Sequence, residues 1–347
     1  MFDRLRSLLS GPQKGEAPAA PALAPEAISA PGGGAAFAFA ANLDPSKRFP
    51  ILDWNAVEAW MAALPDGEHG AAWGACERAW LLHMRDAMPP GFRLEEGATA
   101  MVLSSLAPAD ARRALEFMER TLRRIVKVLD GVAVKPELGK DLLILFDEPE
   151  AYYEYASIYH PDGGEFALSS GMHITQGCGH YISLRHDLTS MEPVIAHEMT
   201  HGCLSHLPLP LWLNEGLAVN TEHRVTIAGN AVHTAADMRR RHLRFWGPDE
   251  VQQFWSGKSF RRQDDGNELS YDLARILVEQ LSADWPRFAS FARAANYQDG
   301  GVAAAREHLG LDLGDAAAAL LEAPEPRAFL PDPSLWREPA EWIPQPA

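Results

Sequence analysis

The sequence contains few cysteines and no long apolar runs. Its three cysteines, Cys76, Cys178 and Cys203, are an odd number, and no two of them form a C-x-x-C pair, so we expect no disulfide framework. No apolar run approaches the roughly 18 residues that a membrane-spanning helix requires. The first ten residues include Arg4 and Arg6, but no apolar core follows them as it would in a secretory signal. These absences predict a cytoplasmic protein without a membrane span.

Basic residues are also scarce in comparison with acidic ones. The chain has 31 Lys and Arg against 47 Asp and Glu, a formal net charge of -16 at pH 7. Proteins that bind nucleic acids or anionic membranes need Lys and Arg to displace counterions, so we expect no nucleic-acid partner. With 47% hydrophobic residues among 347, the chain can form one large domain or two modest ones with a proper core.

Proline, glycine and alanine mark the two ends of the chain. The Ala/Pro/Gly-rich start predicts a disordered tail, although the apolar patch at 35–40 has docking on the domain as its alternative. Seven prolines from Pro324 to Pro346 predict an extended tail at the other end. The predicted divisions are a tail (1–44), a helical N-terminal region (45–135), a catalytic core (136–224), a helical C-terminal lobe (225–322) and a Pro-rich tail (323–347).

Between these tails, hydrophobic periodicity predicts both helices and strands. Helices are expected from Asp53 to Leu64, over 71–87 and over 108–129, and Ser270 is the expected N-cap of a later helix. Apolar runs predict strands at 141–147, 165–168 and 179–186. Thr189 and Glu192 have capping-box spacing, which places Pro193 in the first turn of the helix that follows.

That helix carries the sequence His197-Glu198-Met-Thr-His201, an H-E-x-x-H motif. Histidines four residues apart lie on one helix face, so both imidazoles can reach a single metal ion. Glu198 lies about 100° further round the helix, where its carboxylate can take a proton from metal-bound water. Glu198 is the only charged residue between Pro193 and His206, which is typical of a buried helix. Burying these groups without a partner would cost several kcal/mol, so the pattern favours a metal site.

The stretch from Val194 to Cys203, together with Trp212-Leu-Asn-Glu215-Gly-Leu-Ala, resembles the gluzincin zinc metallopeptidases, the peptidase MA-like group that includes thermolysin and aminopeptidase N. The resemblance implies an α+β, mostly helical zincin-like fold, with a small mixed sheet beside the active-site helix and a helical C-terminal lobe. It implies that His197, His201 and Glu215 bind Zn²⁺ and that Glu198 is the general base of peptide-bond hydrolysis. A metzincin would need Gly and His where this chain has Leu204 and Leu207.

The same resemblance suggests further roles. Gluzincins of the aminopeptidase type use a tyrosine hydroxyl to stabilise the oxyanion, and Tyr271 is the matching candidate; a buried tyrosine that only hydrogen-bonds is the alternative. The strand at 180–186 would be the edge strand that pairs with the substrate backbone.

Several candidates could complete or alter the metal site. The expected partners of the ligand histidines are Glu222, Asn214 or Asp187. A fourth ligand from Cys203 or His206 would make the site structural instead of catalytic.

Other interpretations of the sequence remain open. The cluster Arg239-Arg240-Arg241 with Arg244 is either a solvated helix face or a site for a substrate carboxylate. The alternative to a peptidase acting on a peptide or protein substrate is a non-catalytic, peptidase-like module that binds a peptide or protein. A scaffold stabilised by zinc is a third interpretation.

Overall fold

A computed structural model describes residues 22–159, 171–226 and 233–336 of the chain. Its main sheet has five strands in the order β3-β4-β5-β7-β6, in which β4, β5 and β7 are parallel and the two outer strands are antiparallel to their neighbours. The strands are β3 (Arg93–Glu96), β4 (Ala100–Ser104), β5 (Asp141–Phe146), β6 (Gly171–Ile174) and β7 (His180–Leu184), and a separate pair consists of β1 (Leu43–Asp44) and β2 (Ile51–Leu52).

Helices make up most of the remaining described residues. They are α1 (Trp54–Met61), α2 (His69–Ala87), α3 (Pro108–Val128), α4 (Pro149–Tyr159), α5 (Leu188–Leu204), α6 (Leu211–Val225), α7 (Ala235–Phe245), α8 (Pro248–Trp255), α9 (Asp265–Leu281), α10 (Trp285–Ala294), α11 (Val302–Ala304) and α12 (Leu313–Leu320). The expectation of a mostly helical α+β fold with a small mixed sheet is confirmed at this level. Within the described ranges, no helix combines the length and the apolar character that crossing a bilayer requires.

The sheet separates two hydrophobic clusters. Alternate residues of a strand point to opposite faces, and in β5 Leu143 and Leu145 face one cluster whereas Leu142 and Ile144 face the other. One cluster includes residues of α1, α2 and α4, and the other includes residues of α3, α5, α6 and the helices from α8 onwards. All six residues of β5 are buried, because a central strand covered on both faces has no solvent-facing side.

Part of the expected N-terminal tail packs on the domain instead. Ile28 and Phe37 form an antiparallel bridge, and Phe39 is fully buried. The Trp60 indole N–H also donates to the Ala35 carbonyl oxygen at 2.8 Å. The two phenylalanines give this Ala-rich stretch enough apolar surface to dock, so the tail prediction is wrong for residues 22–44. Residues 1–21 lie outside the described residues.

The region expected to be only helical, 45–135, also contributes β3 and β4. Strand β3 has the sequence Arg-Leu-Glu-Glu. Polar residues suit an outer strand, but a strand without an apolar run cannot be predicted from hydrophobic periodicity. The helices expected in this region are present, and Asp53 caps α1 through the Ala56 N–H at 3.2 Å. The strand predicted at 165–168 lies outside the described residues.

The helix that carries the H-E-x-x-H motif, α5, begins earlier than predicted. Its N-cap is Asp187, whose carboxylate accepts hydrogen bonds from the N–H and the hydroxyl of Ser190 at 3.1 and 2.7 Å. Thr189 is therefore inside the helix, and Pro193 lies in the second turn instead of the first. Aspartate is as good an N-cap as threonine, and Asp187, two residues before Thr189, is the residue that caps the helix.

The edge of the sheet also differs from the prediction. Strand β7 lies between β5 and β6, so the strand expected at the edge, 180–186, is internal. Within the described residues, the outermost strand on this side is β6, and it packs against α5.

The C-terminal part of the chain is helical and joins the cluster that contains α5 and α6. Helix α9 begins at Asp265 with Asp264 as its N-cap, six residues before the expected start at Tyr271. Part of the expected Pro-rich tail is also packed, because Phe329 is buried and its carbonyl oxygen accepts from the Trp255 indole N–H at 2.7 Å. Residues 337–347 lie outside the described residues.

Two buried carboxyl groups, Glu77 and Asp141, lie near the start of β5. Glu77 accepts from the Trp73 indole N–H at 2.8 Å and from the Lys140 backbone N–H at 3.0 Å. Asp141 accepts from the Tyr181 hydroxyl at 3.0 Å. Burial raises the pKa of Glu77 to about 7 and that of Asp141 to about 6, since a low-dielectric environment disfavours the charged form.

We expect Asp141 to make folding stability depend on pH. A folded-state pKa above the unfolded value means that the folded protein binds the proton more tightly, so stability is lost as pH rises through about 6. Asp141→Asn keeps an oxygen for Tyr181 but does not titrate. Between pH 4.5 and 8 this variant should lose less stability than the wild type, by an amount on the order of 2 kcal/mol. Thermal denaturation at both pH values measures the difference, and equal losses in the two proteins would contradict this role.

Candidate metal centre

Helices α5 and α6 bring the predicted ligands together. Pro208 and Pro210 prevent α5 from continuing, and α6 begins at Leu211 with Pro210 as its N-cap residue. The two helices then pack against each other. In this arrangement Glu215, on the first turns of α6, faces the histidines of the H-E-x-x-H motif.

The three predicted ligands form a compact group. The Glu215 carboxylate oxygen Oε2 lies 3.1 Å from Nε2 of His197 and 3.5 Å from Nε2 of His201. One candidate ligand atom from each residue lies within 4.8 Å of the others. All three side chains are largely buried, with 15%, 13% and 12% of the side chain exposed for His197, His201 and Glu215. This group can hold a metal ion.

Both histidines are oriented by residues of α6. Nδ1 of His197 lies 3.2 Å from the Glu222 carboxylate, and Nδ1 of His201 lies 3.0 Å from the Asn214 side-chain oxygen. Both partners are acceptors, so each Nδ1 carries the proton and each Nε2 can present its lone pair to the ion. Glu222 and Asn214 were predicted for this role. Asp187, the third candidate, caps α5 instead.

Opposite charges control the ionisation of the ligand group. Burial alone would raise the pKa of Glu215, but the charges of His201 and the hydrogen bonds to both histidines lower it well below its usual range. Burial would lower the pKa of His197, whereas its hydrogen bonds to Glu215 and Glu222 raise it well above its usual value. The site therefore favours ionised Glu215 and a positive charge beside it.

Glu198 lies on the sheet side of α5, next to β6. A Cβ atom at Gly171 would lie 2.4 Å from Val194 Cγ1 and 3.4 Å from Glu198 Cγ, so only glycine allows β6 to approach the helix this closely. Burial raises the pKa of the Glu198 carboxyl group, and the nearby histidine charges and the His173 backbone N–H oppose this rise. The base candidate thus lies between the ligand group and β6.

Tyr271 approaches the ligand group from α9. This helix packs tightly on α6, where a Cβ at Gly216 would lie only 2.6 Å from the Ala274 carbonyl oxygen. The Tyr271 and His197 rings are 6.4 Å apart between centroids. The charge of Glu215, then burial and the charge of Glu198, raise the pKa of Tyr271 well above its usual value, which keeps its hydroxyl protonated. The alternative, a buried tyrosine whose hydroxyl only makes a structural hydrogen bond, predicts a partner for this hydroxyl. No described residue is such a partner.

The two candidates for a fourth ligand do not join the group. Cys203 is buried in the hydrophobic cluster that contains α5, and His206 is exposed after the end of α5. Among the described His, Cys, Asp and Glu residues, only His197, His201 and Glu215 form a group that can bind a metal. Three protein ligands leave a coordination position for water or substrate, as in catalytic zinc sites.

The arginine cluster on α7 is largely paired with acidic residues. Arg239 pairs with Glu322, Arg240 pairs with Asp237, and Arg241 pairs with Glu268 at 2.7 Å. These partners support the interpretation as a solvated helix face over that of a carboxylate site.

Sequence reasoning missed the part of the site that β6 contributes. Gly171 and His173 both lie on this strand, and His173 was not among the candidates. The only sequence signal was a glycine followed by a short alternating run, Gly171-Met-His-Ile, which is too brief to show that it borders α5.

The comparison of the chain with protein-family models, curated proteins and solved structures finds no match.

We expect Glu222 to control metal affinity without touching the metal. Glu222→Ala removes the acceptor of the His197 Nδ1 proton, and the loss of such a partner typically weakens metal binding by about 10- to 100-fold. Zn²⁺ affinity, measured by competition with a chromogenic chelator, should fall by this factor while circular dichroism stays unchanged. The control is Glu116→Ala, an exposed glutamate on α3, for which wild-type affinity is expected. Equal affinities in both variants would refute the role of Glu222.

Proposed function

We propose that the protein is a gluzincin-type zinc metallopeptidase that hydrolyses a peptide or protein substrate. The observation that carries this proposal is the position of Glu198 beside a buried group of two histidines and one glutamate, with no fourth protein ligand among the described residues. This combination supports a catalytic site, since a structural site would fill all four positions.

The donor set of the ligand group fits Zn²⁺. Imidazole and carboxylate ligands suit zinc, whereas Mg²⁺ and Ca²⁺ prefer ligands that are all oxygen atoms. Ligand atoms about 2.0–2.1 Å from a tetrahedral ion are about 3.4 Å apart. The measured separations of Glu215 Oε2 from the two Nε2 atoms, 3.1 and 3.5 Å, are close to this spacing. His197, His201 and Glu215 would hold the ion.

When bound, zinc supplies a Lewis acid that lowers the pKa of water and polarises the carbonyl group that is attacked. In this proposal Glu198 accepts the proton of the attacking water and transfers it to the leaving amine. In the same proposal Tyr271 donates its hydroxyl hydrogen to the carbonyl oxygen as that oxygen gains negative charge. Glu222 and Asn214 keep the imidazoles in the orientation that this chemistry needs.

Strand β6, the outermost of the described strands on its side of the sheet, supports a peptide as the substrate. An extended peptide can add to an exposed sheet edge through main-chain hydrogen bonds. Strand β6 passes directly beside Glu198, so a peptide aligned with it would bring its backbone to the base.

Glu198→Gln tests the proposed function directly. The amide cannot accept the water proton, so hydrolysis should fall by about three orders of magnitude or more, while about one zinc per chain is retained because Glu198 is not a ligand. Cleavage of a peptide library, read by mass spectrometry, and zinc content together check this. Zinc-free wild-type protein would contradict the proposal. A non-catalytic binding module would show no products that depend on Glu198.

Tyr271→Phe tests the second catalytic role. Removal of one donor to the developing negative charge typically lowers kcat by about 100- to 1,000-fold, and zinc content should stay at the wild-type level. Steady-state kinetics on a peptide cleaved by the wild type would measure the effect. Tyr297→Phe, on the loop that follows α10, is the matched control and should keep wild-type kcat. If Tyr271→Phe were as active as this control, Tyr271 would not be the donor.

A further inference from the structure

The His173 side chain lies on the face of β6 that borders the active-site helix. His173 pairs with Tyr181 on β7, and paired residues of neighbouring strands project to the same face. The Tyr181 hydroxyl lies on that face against α5, since a Cβ at Gly202 would be 2.3 Å from it. The His173 and Tyr181 rings are 5.1 Å apart. His173 is therefore beside the turn of α5 that carries His201.

The backbone of His173 points to the outer side of the sheet. In an antiparallel pair, the backbone groups of successive residues point alternately towards the partner strand and away from it. The His173 N–H is near enough to stabilise the Glu198 carboxylate, so it points away from β7. A peptide that approached Glu198 along β6 would therefore meet His173 beside the reacting bond.

The imidazole of His173 has no hydrogen-bond partner among the described residues, although the residue is only partly exposed. The contrast with His180, the neighbouring histidine of the sheet, is informative. Nδ1 of His180 donates to the Cys178 carbonyl oxygen at 2.8 Å, and its Nε2 accepts from the Tyr155 hydroxyl at 2.8 Å. His180 is thus fully satisfied within the protein, whereas His173 keeps both ring nitrogens available.

The ring nitrogens of His173 are also complementary to a peptide group. Nε2 faces Gly179, an exposed residue at which a Cβ would lie 3.5 Å away. Burial, with the charges of His201 and His180, lowers the pKa of His173 to about 3. A neutral imidazole has one donor and one acceptor, as does a peptide group. A substrate carboxylate would instead select a charged partner.

We propose that His173 is a substrate-positioning residue whose imidazole hydrogen-bonds a peptide group of the bound chain next to the cleaved bond. This inference rests on the proposed function, because the ligand is the peptide that Glu198 would help to cleave. His173 is not a metal ligand in this proposal, in agreement with its absence from the group of ligand atoms.

Binding of fluorophore-labelled casein to zinc-loaded Glu198→Gln protein, measured by fluorescence anisotropy, tests the inference separately from hydrolysis. Adding His173→Ala should weaken binding about three- to tenfold, the loss expected for one hydrogen bond, with zinc content unchanged. His173→Gln, which restores a donor and an acceptor, should recover binding to within about threefold of the parent protein. Met172→Leu, on the opposite face of β6, is the matched control and should bind as the parent does.

The outcomes separate the two proposals. Binding by His173→Ala within twofold of the parent, or a loss of zinc with a loss of binding, overturns the role of His173. Wild-type protein that binds casein but does not cleave it overturns the peptidase proposal. The role of His173 in binding is then decided by the affinities of the His173 variants alone. Absence of casein binding in every protein overturns both.

Discussion

The contact between α5 and α6 is the interaction on which the rest of the site depends. It buries the Glu215 carboxylate against two imidazoles, with 12% of the glutamate side chain exposed. A buried charge is expensive unless it is paired, so this contact is stable only if the imidazoles carry protons or share a cation with Glu215. The packing of these two helices therefore depends on the charge state of the ligand group.

The surrounding helices make this contact rigid. Helix α9 packs on the back of α6 at Gly216, where backbone meets backbone too closely for any side chain. This fixes the distance between Glu215 and Tyr271, which belong to different helices. On the other side, β6 is equally close to α5 at Gly171. The three candidate metal ligands, Glu198 and Tyr271 are thus all positioned by elements that are in close contact at Gly171 and Gly216.

The parts of the site within two neighbouring helices were predictable from the sequence. Helical periodicity relates His197 to His201, and Glu215 to Glu222, and two prolines require the turn between the helices. The packing of Asn214 and Glu222 behind the histidines follows from the same periodicity. No comparable rule gives strand order, because the neighbours of β7 and β6 are set by contacts between residues far apart in the chain. The edge strand was therefore misassigned and His173 missed.

The charges of the site point to a divalent cation more strongly than to protons. Three carboxylates, Glu198, Glu215 and Glu222, surround two histidines in a largely buried region. With neutral imidazoles and ionised carboxylates the group carries a charge of about −3, and burial makes such an excess costly. Protonation of both histidines would reduce it to about −1, but the protons would then occupy the Nε2 positions that face Glu215. A divalent ion gives the same net charge and replaces these protons, while each Nδ1 keeps its proton and donates it in a hydrogen bond to its partner in α6. The arrangement of acceptors behind the imidazoles is thus the one that a metal ion requires.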